Sequence, residues 1–428
     1  MAKGKDYLVI GAGEQGAAIA SDLLNSDNVG TVGIVDNDST RLDRIEKRLK
    51  DKRLLPITAD ASGQHMMGDM IPIFDAVIGA STYRHYENLT RLAITAGKHF
   101  CDLGGNHYVV QKQFDMAKDA ARQGVKVVPD CGIAPGALSI LTSYGIGRHG
   151  VPRSVNIACG GLPQHPLGIM EYNCPFSVEG LINECKEDAE VIKDGKLVLV
   201  KSLDCVEDIL FPAPFGMMEK TTTSGGLSTL AKTLEGHVEE CSYSTIRYPG
   251  HWEKMIAIQS LGGFDEEQMP ENLRTPEEIT FYMLKKNKVA PNNPAIKVLD
   301  ALGYFSQKEI SCDQGIVTPR KLTEYIFRTN VAYEDQDVLL ARVSLEYPDE
   351  RKLVELNLVD HFDEKKGFSA MQRTTGYSAS IIAQMMANGV ILDEGVLYQE
   401  VSVPAEKFID EWKKRDINIT ETVKELEE

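Results

Sequence analysis

At 428 residues the chain exceeds the roughly 250–300 residues over which one core keeps growing, so two domains are expected. Hydrophobic residues make up 43% and charged residues 25%, the balance of an ordinary globular protein. A net charge of −17 argues against nucleic acid and anionic membrane surfaces as partners, because both are polyanions that this field repels.

The opening stretch MAKGKDYLVIGAG holds only a four-residue apolar run, so no secretory signal is expected. No apolar run approaches the ~18–20 residues that span a bilayer. Eight cysteines (Cys101, Cys131, Cys159, Cys174, Cys185, Cys205, Cys241, Cys312) are scattered, with no C-x-x-C and no Cys/His cluster. Free thiols in a reducing cytoplasm are expected, and no zinc site.

The first 135 residues alternate strand and helix. Tyr7–Ile10 reads as a strand and Ala17–Leu24 as a helix, with Ile19 and Leu23 on one face. Strand Val32–Val35, helix Thr40–Lys50, and strands Leu54–Thr58 and Ala76–Gly79 follow. Helix Tyr86–Ala96 stops at Gly97, strand His99–Leu103 comes next, and then helix Gln111–Gln123 and strand Lys126–Pro129. This alternation predicts parallel strands joined by right-handed crossovers, an α/β doubly wound sheet of Rossmann type.

Beyond Pro135 the pattern changes. Leu339, Ala341, Val343, Leu345 and Tyr347 alternate with Arg342, Ser344 and Glu346, and Pro348–Arg351 turns the chain back into Lys352–Asp360. That is an antiparallel pair. Ser244–Tyr248, in STIRYPGH, reads as another short strand. Ala370–Asn388 is a long helix apolar on most sides, so it should be buried against the first domain. The expected organisation is residues 1–135 as a Rossmann domain completed by residues 366–428. Residues 136–365 form an inserted α+β domain with a mixed or antiparallel open sheet, for substrate binding and oligomerisation.

VIGAGEQGAAIA sets Gly11, Gly13 and Gly16 as G-x-G-x-x-G between a strand and a helix. The glycines allow a tight turn, close approach of a pyrophosphate and close helix packing, with the helix N-terminus facing the phosphates. Asp36 ends the second strand, where a carboxylate binds a ribose 2′-hydroxyl and repels a 2′-phosphate. NAD is therefore favoured over NADP, although Arg41 leaves room for NADP. Glu14, Gln15, Asn37, Asp60, Ala80, Ser81 and Thr82 complete the cofactor contacts expected from position, together with Cys131 after the sixth strand.

Catalytic candidates lie at the carboxyl ends of strands, where open parallel sheets bind ligands. They are Asp102 in FCDLGGN, His107 just after it, and Asp130 in VVPDCGIAPGA. Three segments of the second domain stand out: GGLPQHP (160–166), EYNCPFSVEGLINE (171–184) and TSGGLSTLAKTLEG (223–236). Paired glycines beside hydroxyls, as in Thr223, Ser224, Gly225 and Gly226, are suited to holding a carboxylate on backbone N–H groups. Arg247 carries a fork that grips a carboxylate through two charge-assisted bonds, unless it makes a surface ion pair.

Taken together, CGIAPG, GGLPQHP, YN…S.EGLINE, TSGGLSTL.KTLEG and TIRYPGH resemble the saccharopine dehydrogenase-like family, and within it most closely the L-lysine 6-dehydrogenases. Saccharopine enzymes carry an aspartate in the segment matching GIAPG, where this chain has Ala134, which points away from saccharopine and towards free lysine. The resemblance implies a Rossmann domain, a nicotinamide cofactor and oxidation at the nitrogen-bearing ε-carbon of a lysine-type amino acid. A homo-oligomer, dimeric or higher, is also expected. Arg247 would then grip the α-carboxylate, with Tyr172, Tyr248 and His251 lining the same wall. Other readings are a saccharopine or carboxynorspermidine-type dehydrogenase working with NADP, and a silent NAD-binding redox sensor.

Overall fold

The computed structural model describes residues 4–174, 177–270, 272–309, 318–331 and 336–426. The strands β1 (Lys5–Ile10), β2 (Val29–Asp36), β3 (Leu54–Thr58), β4 (Ala76–Gly79), β5 (His99–Asp102) and β6 (Lys126–Val128) lie close to their predicted positions. All pair in parallel, in the order β6-β5-β4-β1-β2-β3. They are short and apolar because helices cover both faces of the sheet. The order reverses between β1 and β4, so the crevice that takes ligands opens above those two strands.

The predicted helix Gln111–Gln123 is two helices, His107–Phe114 and Ala117–Arg122. Asn106 starts the first early by accepting from Val109 N–H at 3.1 Å, and the chain breaks at Asp115–Met116.

The second sheet is mixed. It contains β7 (Ser154–Pro163), a small pair β8 (Ala189–Lys193) and β9 (Lys196–Val200), β10 (Val206–Phe211), β11 (Gly216–Thr222), β12 (Glu240–Arg247), β13 (Asp337–Tyr347) and β14 (Lys352–His361). β12 runs parallel to β7, and β13 pairs antiparallel with both β7 and β14. The predicted alternation holds: Leu339, Ala341, Val343, Leu345 and Tyr347 are buried, while Arg342, Ser344 and Glu346 are half-buried.

The returning helix runs from Ala370 to Ala387 with a π-helical turn at Arg373–Tyr377. It packs on β4 and β5 of the first sheet, as expected of an apolar helix. Its π turn rests on the helix Glu14–Leu24, where a Cβ on Gly376 would come within 2.9 Å of Ala18 Cβ. β15 (Gly395–Val396) then extends the first sheet beside β6. The tail does not all stay there. β16 (Ile419–Glu425) pairs with β14, so the last strand belongs to the second sheet and not to the Rossmann side where residues 366–428 were placed. The exposed edge of β14 offers ladder bonds that the short tail segment takes up.

One continuous core joins the two sheets. It runs from Val9 and Ile34, through Ile140, Leu141, Ile381 and Trp412 on the intervening helices, to Val343 and Leu345. Two further cores cover the outer faces. The layers are helices, sheet, helices, sheet, helices, and the first sheet's ligand-binding ends face the second domain. No helix among the described residues is long and apolar enough to cross a membrane.

Candidate active site

The glycine loop has the expected geometry. Gly11 sits at φ +118, and a Cβ there would lie 2.4 Å from Ala80 O, so the loops after β1 and β4 touch. A Cβ on Gly16 would lie 1.9 Å from Gly11 O, which only glycine avoids. Nothing lies within 4 Å of the Cβ position at Gly13, leaving the helix N-terminus open to a phosphate. Asp36 is fixed by two backbone donors, Ala12 N at 2.8 Å and Asp38 N at 2.9 Å. Arg41 approaches it at 3.8 Å. This loop, with its open N-terminus and fixed carboxylate, fits a dinucleotide.

The remaining cofactor candidates are placed as follows. Ser81 O accepts from Tyr86 OH at 2.7 Å, which holds the Ala80–Thr82 loop beside Gly11. Asn37 and Asp60 are exposed near the end of β2, and Asp60 closes its own turn on Ser62 N. Glu14 and Gln15 turn to the returning segment, where Gln372 Nε2 donates to the Glu14 carboxylate and Gln15 Nε2 to Met371 O. Cys131 turns inward. Its thiol faces Val128 O and Pro129 O in the core, and burial raises its pKa. Cys131 and Gln15 thus pack into the scaffold, and Glu14, although exposed, is held by Gln372.

Asp102 and Asp130 form a buried carboxyl pair at the ends of β5 and β6. Asp102 accepts from Gln113 Nε2 at 2.7 Å, Gly104 N at 2.8 Å and Asp130 N at 3.3 Å. Burial pushes its pKa up to about 6. Burial and the nearby Asp102 push Asp130 up to about 7. Asp130 lies at φ +58, an uncommon conformation that aims its carboxyl at the second domain. There Ser228 Oγ donates to it, a contact between residues far apart in sequence. His107, in contrast, is partly exposed and faces Glu190 of β8 at 4.0 Å.

Residues 223–229 form a strap between the domains. Thr223 Oγ1 bonds Thr245 Oγ1 at 2.6 Å on β12, and Ser224 N is already taken by Glu184 O at 3.0 Å. Gly225 is exposed, and Gly226 packs on Tyr243. The strap therefore runs from the strand of Arg247 to the carboxyl of Asp130.

Arg247 is 1% exposed, so it makes no surface ion pair. Its Nη1 donates to Ile246 O at 2.8 Å and its Nη2 to Tyr172 OH at 3.2 Å. The guanidinium stacks 4.3 Å from the centroid of Tyr172. His251 lies beside Tyr172 with Nδ1 on Met170 O at 2.8 Å. Tyr248 does not share this wall. Successive strand residues face opposite ways, and its hydroxyl donates to Pro163 O and Gln164 O. Pro175, Phe176 and Cys312 lie outside the described residues.

Several groups escaped the sequence reading. Glu184 is half-buried near Arg247, and desolvation lifts its pKa to about 7 although the arginine's charge opposes the shift. Glu400 accepts from Thr229 Oγ1 at 3.0 Å and Thr233 Oγ1 at 2.9 Å, anchoring the far end of the strap. Helix Val178–Lys186 bounds an interdomain cleft of about 430 Å³ lined by Tyr83, Asn106, Glu179, Asn183 and Glu187 among others. Glu179 and Asn183, four residues apart, share one face of this helix, a signal the sequence did carry, and Glu187 follows just beyond its end.

Glu184 makes a testable prediction. An acid with a raised folded pKa loses stability as pH climbs from its ordinary 4.5 to about 7 and carries the full penalty above that. Glu184→Gln should therefore melt higher than the native chain at pH 8, by on the order of 3 kcal/mol at most, and show no gain near pH 4.5. An equal melting difference at both pH values would exclude a raised Glu184 pKa in the folded chain.

The sequence matches the model of the saccharopine dehydrogenase NADP binding domain over residues 7–128 and that of the saccharopine dehydrogenase C-terminal domain over residues 132–417. The chain belongs to the saccharopine dehydrogenase family. It is 22% identical over 408 residues to saccharopine dehydrogenase [NADP(+), L-glutamate-forming] of Schizosaccharomyces pombe, covering 86% of this chain and 88% of that one. It is 21% identical to mouse mitochondrial alpha-aminoadipic semialdehyde synthase over 93% of this chain, which spans 45% of that longer protein. Apo saccharopine dehydrogenase (L-Glu forming) from Saccharomyces cerevisiae shares the fold with a TM-score of 0.77 at 19% identity, covering 98% of this chain and 100% of that one. As a saccharopine dehydrogenase family member the chain is an NAD(P)-dependent oxidoreductase acting on amino-acid CH–NH2 donors.

Proposed function

We propose that the protein oxidatively deaminates the ε-amino group of L-lysine with NAD, giving allysine, which cyclises to piperideine-6-carboxylate, with ammonia and NADH. The observation that carries this reading is Arg247, a guanidinium 1% exposed with no ion-pair partner among the described residues. A buried cation is strongly unfavourable unless it is paired, and the carboxylate of an amino acid supplies that pair. The burial of Arg247 keeps water from such an ion pair and strengthens it.

In this reading the other end of the substrate lies near Asp130, which the strap ties to the strand of Arg247. A lysine ammonium has an ordinary pKa of ~10.4, and only the neutral amine supports loss of hydride from its carbon. Asp130, with a pKa of about 7, is poised to take that proton through Ser228, whose hydroxyl already bonds its carboxylate. Asp102 holds the Asp130 backbone in place. Gly11, Gly13 and the helix N-terminus would hold the pyrophosphate, and Asp36 the ribose. A bound nicotinamide supplies the hydride acceptor. Water then hydrolyses the imine to aldehyde and ammonia.

A second reading is a saccharopine-type reaction with NADP. The Schizosaccharomyces pombe relative named for that reaction supports it, as does Arg41 beside Asp36. A panel of lysine and saccharopine, each with NAD and NADP, decides between the two. Lysine with NAD should yield NADH and ammonia in equal amounts. Turnover of saccharopine alone, or turnover only in reverse from an amine and an aldehyde, overturns the proposal. Cofactor binding without any turnover would favour a silent sensor.

A further inference from the structure

Arg247 Nε is not the only polar atom left without a partner in its cluster. Arg247 Nε, Trp252 Nε1 and His251 Nε2 are all buried with no hydrogen-bond partner. Each of these side chains is at most 1% exposed. They pack together: the guanidinium lies 5.4 Å from the Trp252 ring centroid, and the His251 ring is 5.0 Å from both Trp252 and Tyr172. An unsatisfied buried polar atom costs about 1–3 kcal/mol, and such atoms are few in native proteins. Three in one cluster point to a ligand.

Their chemistry identifies its class. Arg Nε–H and Trp Nε1–H can only donate. His251 Nδ1 faces Met170 O, which can only accept, so Nδ1 carries the proton and Nε2 presents a lone pair. Burial and the charge of Arg247 hold this imidazole neutral, with its pKa pushed down to about 3, so the lone pair persists at neutral pH. The unpartnered set is therefore two donors and one acceptor beside a cation. A simple carboxylate satisfies the donors and leaves the acceptor empty, whereas a zwitterion satisfies both.

We infer that this cluster reads the intact head group of an α-amino acid. Its carboxylate bonds Arg247 Nε and Trp252 Nε1, and its α-ammonium donates to His251 Nε2. The assignment rests on the reading of Arg247 as the carboxylate clamp. It adds Trp252 and His251 as specificity-determining residues.

Three substrates with progressively simpler head groups test it: lysine, 6-aminohexanoate without the α-amino group, and cadaverine without the carboxylate. The native enzyme should prefer lysine to 6-aminohexanoate by about 10- to 100-fold in kcat/KM, the value of one hydrogen bond to a charged group. His251→Phe should abolish that preference by slowing lysine while sparing 6-aminohexanoate. Trp252→Phe should slow both carboxylates by about tenfold and leave cadaverine unchanged. If either variant slows all three substrates equally, its role is structural and the inference fails. If the native enzyme does not distinguish lysine from 6-aminohexanoate, the unpartnered atoms hold only water. Should saccharopine be the amino acid turned over, the same variants are compared on saccharopine and its analogue lacking the lysine-derived α-amino group. A wrong substrate is thereby separated from a wrong head-group assignment.

Discussion

Arg247→Ala is expected to raise KM for lysine by about 30- to 5000-fold while leaving KM for the nicotinamide cofactor nearly unchanged. The side chain is buried between Tyr172 and Trp252, and the cofactor loop belongs to the other domain. Removing one partner of a buried, hydrogen-bonded charge pair costs about 2–5 kcal/mol, which sets the range. Arg247→Lys keeps the charge but loses the fork and the stacking, so it should fall between the two. Equal increases in both KM values would show that the substitution disturbs the fold and that the clamp assignment is wrong.

Asp130→Asn is expected to lower kcat by about 10²- to 10⁴-fold without a matching loss of lysine binding. Only the ionised carboxylate accepts a proton. In the native enzyme kcat/KM should therefore rise as pH climbs through about 7, and this limb should vanish in the variant. Ser228→Ala tests the relay, since it removes the hydroxyl bonded to Asp130 and should lower kcat while altering the same limb. Burying an ionised carboxylate also costs stability above its raised pKa, so Asp130→Asn should melt higher than the native chain at pH 8. If kcat survives in Asp130→Asn but collapses in Asp102→Asn, the base is Asp102.

Much of the scaffold was legible from spacing. The Gly11–Gly16 fingerprint, Asp36 at the end of β2 and the alternation along Leu339–Tyr347 each depend on backbone geometry within one element. The helix break at Asp115–Met116 was not legible, because neither glycine nor proline marks it. The π turn at Arg373–Tyr377 was also hidden. Its first residue, Arg373, bonds Asp360 at 2.8 Å and Asp363 at 2.9 Å, tertiary partners that periodicity does not mark.

The sequence by itself determined the two-domain α/β plan, the glycine loop and the identity of an arginine worth explaining. Only the tertiary structure decided what each polar side chain does. Glu14 and Gln15 look like cofactor contacts in sequence, yet they meet Gln372 and Met371, more than 350 positions away. Arg247 and Tyr248 are neighbours that face different partners, and Asp130 finds Ser228 98 residues later. Periodicity encodes which face of an element is buried, because backbone geometry repeats every few residues. It carries no record of which distant segment covers that face. A buried donor or acceptor finds its partner there, and in this protein that choice separates scaffold from site.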